Sequence, residues 1–250
     1  MTRNIALSLC YDGHAYHGWQ IQKNARSVQE TLQDAARAVT KEDVSVIGCG
    51  RTDSGVHARR YIASFRTSCA IPADRVPAAL NSLLPRDITV IAAQDAAPDF
   101  HPIRSCLKKE YTYELYQAPW RDPFRADYAL HVPEALDLAA MRRASADFIG
   151  THDFAAMRST GTEVRSTVRQ VYSYDVIEHA RGISLVVCAN GFLYNMARAM
   201  AGTLLAIGRG QLAENSIPAI LASRDRARAG ATARAQGLYM TNVWYPSLSI

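Results

Sequence analysis

The sequence predicts an α+β protein built as two ferredoxin-like halves, residues 1–108 and 109–250, and three observations carry that expectation. The hydrophobic period switches repeatedly between two and 3.6, so short strands and single helices alternate along the chain. Each half mixes antiparallel strands with two helices. No low-complexity segment or long linker separates them, and an apolar content of 48% over 250 residues can bury a full core. The halves show no recognisable sequence identity, so the repeat is an expectation about structure alone.

In order, residues 4–10 alternate with Ile5, Leu7 and Leu9 on one face, a half-buried strand. Residues 11–22 form a long loop rich in aromatic and amide side chains; its His14 and His17 lack acidic or cysteine partners and read as surface histidines. Ser27-Val28-Gln29-Glu30 is a capping box, and Val28, Leu32, Ala35 and Val39 follow at helical spacing. Ser45 to Ile47 and Val56 to Arg66 read as strands. A second helix carries Val76, Leu80 and Leu83 on one face before Pro85 ends it. Ile88 to Ala92 and Lys109 to Tyr116 are further strands. Asp137 caps a helix holding Leu138, Met141 and Phe148 and closed by Gly150. Strands at 170–177 and 183–189, a helix from Asn195 to Ile207 and a strand from Leu238 to Tyr245 complete the chain.

Charge and cysteine usage narrow the function classes. The formal net charge is +5, carried by 24 Arg against 4 Lys. Guanidinium groups suit phosphate and stack on bases, so the balance leans towards nucleic acid. Five widely spaced cysteines, with no Cys-x-x-Cys pair, indicate neither a disulfide framework nor a zinc site, and a reducing cytoplasm fits. The amino terminus lacks the layout of a signal peptide, and the longest apolar run, inside 199–207, is too short to span a bilayer.

The stretch Gly48-Cys49-Gly50-Arg51-Thr52-Asp53-Ser54-Gly55-Val56-His57 follows a strand and holds three glycines, so its backbone can turn sharply and approach a ligand. In extended chain Arg51 and Asp53 would leave the same face. A tight turn in which Asp53 bonds its own backbone is one reading. A phosphate loop is excluded, because Val56 and His57 stand where Lys and Ser or Thr are required. An aspartic peptidase needs a second carboxylate sharing a proton, and no second copy of Asp-Ser-Gly occurs. A lone catalytic Asp beside an Arg is the remaining reading.

Two further positions stand out. Arg198 is the only charge from Phe192 to Gly208, on a helix apolar or small nearly all round. Buried there, its guanidinium needs a carboxylate, since removing the partner of a buried charge costs about 3–5 kcal/mol. A structural ion pair, a snorkelling side chain and a catalytic partner all fit, with Asp53 the carboxylate of most interest. Tyr111, Tyr113 and Leu115 share one strand face, as a packed core requires, and Tyr111 follows directly on Lys108, Lys109 and Glu110.

Six motifs, in this order, make the chain resemble the TruA family of tRNA pseudouridine synthases. They are Tyr11-Asp12-Gly13 to Gly18-Trp19-Gln20, Gly50-Arg51-Thr52-Asp53 to Gly55-Val56-His57, and Asn81 to Leu83-Leu84-Pro85. Phe100-His101 to Tyr111-Thr112-Tyr113, Gly191-Phe192-Leu193 to Arg198, and Gly237-Leu238-Tyr239 complete the set. The resemblance implies a pseudouridine synthase fold, with two ferredoxin- or RRM-like halves joining mainly antiparallel sheets around a central cleft. It implies Asp53 as catalytic carboxylate, Tyr111 against the target uracil and Arg198 paired with Asp53. Arg51 would take the space the target base leaves, and Leu238 is expected among the substrate-binding residues. The substrate would be tRNA, at uridines 38, 39 and 40 of the anticodon stem-loop, acted on by a cytoplasmic homodimer that needs no metal or cofactor. A catalytically silent RNA-binding paralogue is the alternative, which loss of Asp53 would signal; Asp53 is present. Arg60-Tyr61 and Pro102-Ile103-Arg104 depart from the family pattern, which bears on the RNA-facing details.

Overall fold

The computed structural model describes residues 2–161 and 164–250. The first elements are β1 (Arg3–Tyr11), α1 (Val28–Thr40), β2 (Ile47–Gly48), β3 (His57–Thr67), α2 (Val76–Asn81) and β4 (Ile88–Ala96). They are followed by β5 (Lys108–Gln117), β6 (Leu130–Val132), α3 (Leu138–Ala146), β7 (Gly150–Asp153), β8 (Val168–His179) and β9 (Gly182–Ala189). The chain closes with α4 (Met196–Gly208), α5 (Ile217–Ser223) and β10 (Leu238–Trp244). It divides into two compact units, one of Met1–Leu107 with Met240–Ile250, the other Lys108–Tyr239. Both are α+β, and all their strand pairs of recorded direction are antiparallel except β5 with β6. Among the described residues no helix is long and apolar enough to cross a membrane.

In the first unit β1 lies between β3 and β4, β2 pairs with β3, and the Met240–Trp244 part of β10 belongs to the same unit beside β3. The alternation of residues 4–10 predicts a half-buried strand, yet Ala6 and Ser8 are as buried as Ile5, Leu7 and Leu9. A central strand is covered on both faces, and small residues fit one of them. Ser27 caps α1, its hydroxyl accepting from the Glu30 amide at 3.2 Å. The second predicted helix is shorter than its spacing suggests: α2 stops at Asn81 and Leu83 is 54% exposed. Asn81 explains the stop, because its side-chain amide donates to the Val90 carbonyl and accepts from the Val90 amide, both at 2.8 Å. Those bonds turn the chain into β4. His14 and His17 are exposed, as the loop reading expects.

In the second unit the order is β5-β9-β8-β7, with the three-residue β6 alongside β5. Asp137 caps α3 by accepting from the Ala140 amide at 2.8 Å. The helix ends at Ala146, and Gly150, at φ +114°, opens the short β7 instead of closing the helix. The strands predicted at 170–177 and 183–189 extend to the full β8 and β9. In α4 every residue but Arg198 is buried, so the expected helix buried nearly all round is observed.

Candidate active site

The glycine-flanked stretch runs as a loop from β2 to β3, and a turn closes it. The Val56 amide donates to the Asp53 carbonyl at 3.1 Å, with Gly55 at φ +76°, a conformation that favours glycine. Exposure alternates: Arg51 is exposed, Thr52 buried and Asp53 half-buried. Thr52 anchors the segment, because its hydroxyl lies 2.9 Å from that of Tyr11. Burial holds the Tyr11 phenol well above its usual pKa, so it stays a neutral hydrogen-bonding group.

The loop from Tyr11 to Trp19 clasps this segment from outside. The Trp19 amide donates to the Thr52 carbonyl at 3.1 Å, and the Gly55 amide donates to the Tyr16 carbonyl at 3.2 Å. Gly13 and Gly18 make the approach possible. A Cβ on Gly13 would stand 2.0 Å from the Val56 carbonyl oxygen, and one on Gly18, itself at φ +85°, 2.3 Å from that of Thr52. At the start of β3 the buried His57 presents Nδ1 to the Gly13 amide at 3.1 Å and to Asp12 Oδ1 at 3.0 Å. Backbone and side chains thus fix the path of residues 52–56, which sets where the Asp53 carboxylate starts.

A second brace lies behind Gly50. Tyr61 is fully buried, stacked on Trp19 with ring centroids 4.2 Å apart and met edge-on by Tyr11 at 5.6 Å. Its hydroxyl donates to the Gly50 carbonyl and accepts from the Gly50 amide at 3.4 Å. The expectation that Tyr61 bears on RNA-facing detail is therefore corrected: it packs inside the first unit. Arg60 donates to the Ile250 backbone oxygen at 2.6 Å, and Arg104 is exposed.

The other candidate residues lie in the second unit. Tyr111, the fourth residue of β5 and opposite Val187 of β9, is buried, with its ring edge-to-face against Phe192 at 4.8 Å. Arg198 is only partly buried, less than its apolar helix suggests. It is held locally: Nε donates to the Ala233 carbonyl at 2.7 Å and an Nη to Asn195 Oδ1 at 2.9 Å. The Ala233 amide returns a bond to the Arg198 carbonyl at 3.1 Å. Asn195, at φ +62°, precedes α4 and ties that turn to Ser159 through a 2.9 Å bond. Leu238 is buried at the first position of β10.

Arg51 and Asp53 thus share one unit, and Tyr111, Arg198 and Leu238 the other. Sequence reasoning did not single out Thr52, Tyr61, Phe192 or Asn195 as supports. Asn195 carried the one usable signal, a residue tolerant of positive φ directly before a helix.

A family model described as tRNA pseudouridine synthase matches residues 9–103 and 144–246. A protein of Ruminiclostridium cellulolyticum called tRNA pseudouridine synthase A is 46% identical over 244 residues, spanning 97% of this chain and 100% of that protein. Proteins of the same description from Thermoanaerobacter sp. (strain X514) and Bacillus subtilis are 44% and 42% identical over 243 residues each. They are matched over 97% and 96% of this chain and over 100% and 98% of their own.

Proposed function

The chain belongs to the tRNA pseudouridine synthase family and is an RNA-modifying isomerase, and on that premise we propose that it acts on uridines 38, 39 and 40 of the tRNA anticodon stem-loop, with Asp53 as its catalytic carboxylate. The observation that supports the assignment is the clasp around residues 52–56, which constrains the backbone carrying Asp53 from both sides.

The isomerisation conserves atoms. The C1′–N1 bond breaks, the uracil rotates, a C1′–C5 bond forms, and a proton leaves C5 while N1 gains one. A base inside a stem must first leave its stack, at a cost of a few kcal/mol. Arg51, exposed beside Asp53, fills the space left behind. An ionised carboxylate serves whether it attacks C1′, attacks the ring or removes a ribose proton. Tyr111 holds the detached ring by stacking, and its hydroxyl accepts the C5 proton. Leu238 contributes an apolar contact to the base. The protein works as a homodimer in the cytoplasm, with no metal or cofactor.

Treating unmodified tRNA with the purified protein and mapping carbodiimide-dependent reverse-transcription stops tests this reading. Stops at 38, 39 and 40 are expected. Stops confined to another arm of the tRNA would overturn the site assignment, and none at all would overturn the activity.

A further inference from the structure

Residues 233–238 run across the strand face that carries Tyr111. On β5, Tyr111 and Tyr113 lie two residues apart and point the same way. The Tyr113 hydroxyl donates to the Arg234 carbonyl at 2.8 Å, which lays the segment against that face. Arg198 Nε donates to the Ala233 carbonyl at 2.7 Å, and the Ala233 amide returns a bond to the Arg198 carbonyl at 3.1 Å. Gly237 permits the close approach, since a Cβ there would stand 2.7 Å from the Glu114 carbonyl oxygen and 2.9 Å from the Tyr113 ring. Leu238 follows at once as the first residue of β10.

The Arg234 side chain therefore leaves a backbone fixed on both sides, between Ala233 and Leu238, yet it is itself exposed. Burial raises the pKa of the Tyr113 phenol, and the charges of Arg198 and Arg234 pull it back, so both guanidinium groups act on one neighbourhood. Arg198 is committed to Ala233 and Asn195. Arg143 and Arg224, exposed as well, are answered by carboxylates, Glu214 at 2.6 Å and Asp153 at 2.8 Å. Arg234 has no such carboxylate among the described residues.

Two neighbouring cations with one left over attract an anion from outside the chain. A phosphodiester is the anion that a forked donor meets best. An RNA whose base lies on Tyr111 brings that group with it, because each nucleotide inside a chain carries a phosphodiester on both sides of its ribose. A pre-organised donor also loses little on binding.

We propose that Arg234 binds a phosphodiester adjoining the target uridine, holding the extruded nucleotide by its backbone while the detached uracil turns on Tyr111. This rests on the placement of the base against Tyr111 proposed above. The contact fixes where the ribose sits and carries no sequence information.

Single-turnover isomerisation of full-length tRNA tests it, with the phosphodiester on either side of the target uridine replaced in turn by a neutral methylphosphonate. Arg234→Met removes the charge and leaves the backbone carbonyl that Tyr113 needs, so its melting temperature is expected to match wild type. On unmodified tRNA, Arg234→Met is expected to lower kcat/KM about tenfold or more, and Arg234→Lys to recover part of the loss. On tRNA with the methylphosphonate at the phosphodiester Arg234 holds, wild type should fall by a similar factor and Arg234→Met no further, the coupling a direct contact requires. Losses that multiply at both positions would overturn the contact, as would an Arg234→Met variant equal to wild type. Wild type that loses nothing to a methylphosphonate on either side would overturn it without recourse to any variant. Tyr111→Ala separates the contact from the base placement. Coupling at Arg234 with full turnover in Tyr111→Ala would overturn the placement alone, whereas no coupling with Tyr111→Ala inactive would overturn the contact alone.

Discussion

Tyr61 separates packing from positioning, since its ring is buried against Trp19 while its hydroxyl serves both backbone groups of Gly50. Tyr61→Phe keeps the stack and removes the hydroxyl. A loss of about 1–3 kcal/mol in urea unfolding is expected, with turnover reduced and tRNA affinity retained. Arg198→Ala removes the bonds to Ala233 and Asn195 together with a guanidinium proposed to serve the reaction. It should lower both thermal stability and turnover; a variant as stable and active as wild type would show that Arg198 has neither role. Asp53 and Arg198 are visible in sequence because each is a charge in unusual surroundings, one among glycines and the other in an apolar helix. Thr52 and Tyr61 are not visible. A polar side chain satisfied inside the fold and one reaching solvent are written with the same letter.

At the scale of elements, the clasp of the Tyr11–Trp19 loop on residues 52–56 depends on two glycines that leave no room for a methyl group. Gly13→Ala and Gly18→Ala are each expected to shift the turn and reduce kcat, with Kd for tRNA little changed. Equal kcat in both variants would show that the clasp does not set the reactive geometry. The end of α1 offers a pH test. Glu42 accepts from the Ser68 hydroxyl and amide and from the Thr67 hydroxyl, and these bonds hold its carboxyl below the usual value of 4.5. A lowered folded-state pKa gives stability that is present above the unfolded value and lost as pH falls through the folded one. Glu42→Gln should therefore be less stable than wild type at neutral pH, with the difference shrinking below pH 4.5 in thermal scans. The helix α1 was legible from its capping box, and α4 from its apolar run. The stop of α2 was not, because it is set by bonds from Asn81 to Val90, nine residues on. The short β6 and β7 hold too few residues to show a period.

For the whole molecule, the α+β class was readable from alternating periods, whereas the return of Met240–Ile250 to the first unit was not, since no local pattern records which earlier strand a late one joins. The arginine-rich charge of +5 makes tRNA affinity an electrostatic quantity. Kd should rise steeply and log-linearly with salt in filter binding, while a flat dependence would contradict phosphate-dominated binding. Catalysis, in contrast, is proposed to rest on one carboxylate. The most direct measurement is tritium release from tRNA labelled at uridine C5, under single turnover, by wild type and Asp53→Asn at matched occupancy. The account predicts release by wild type and none above background by the variant, with tRNA affinity nearly the same for both. Release by Asp53→Asn at the wild-type rate would contradict it.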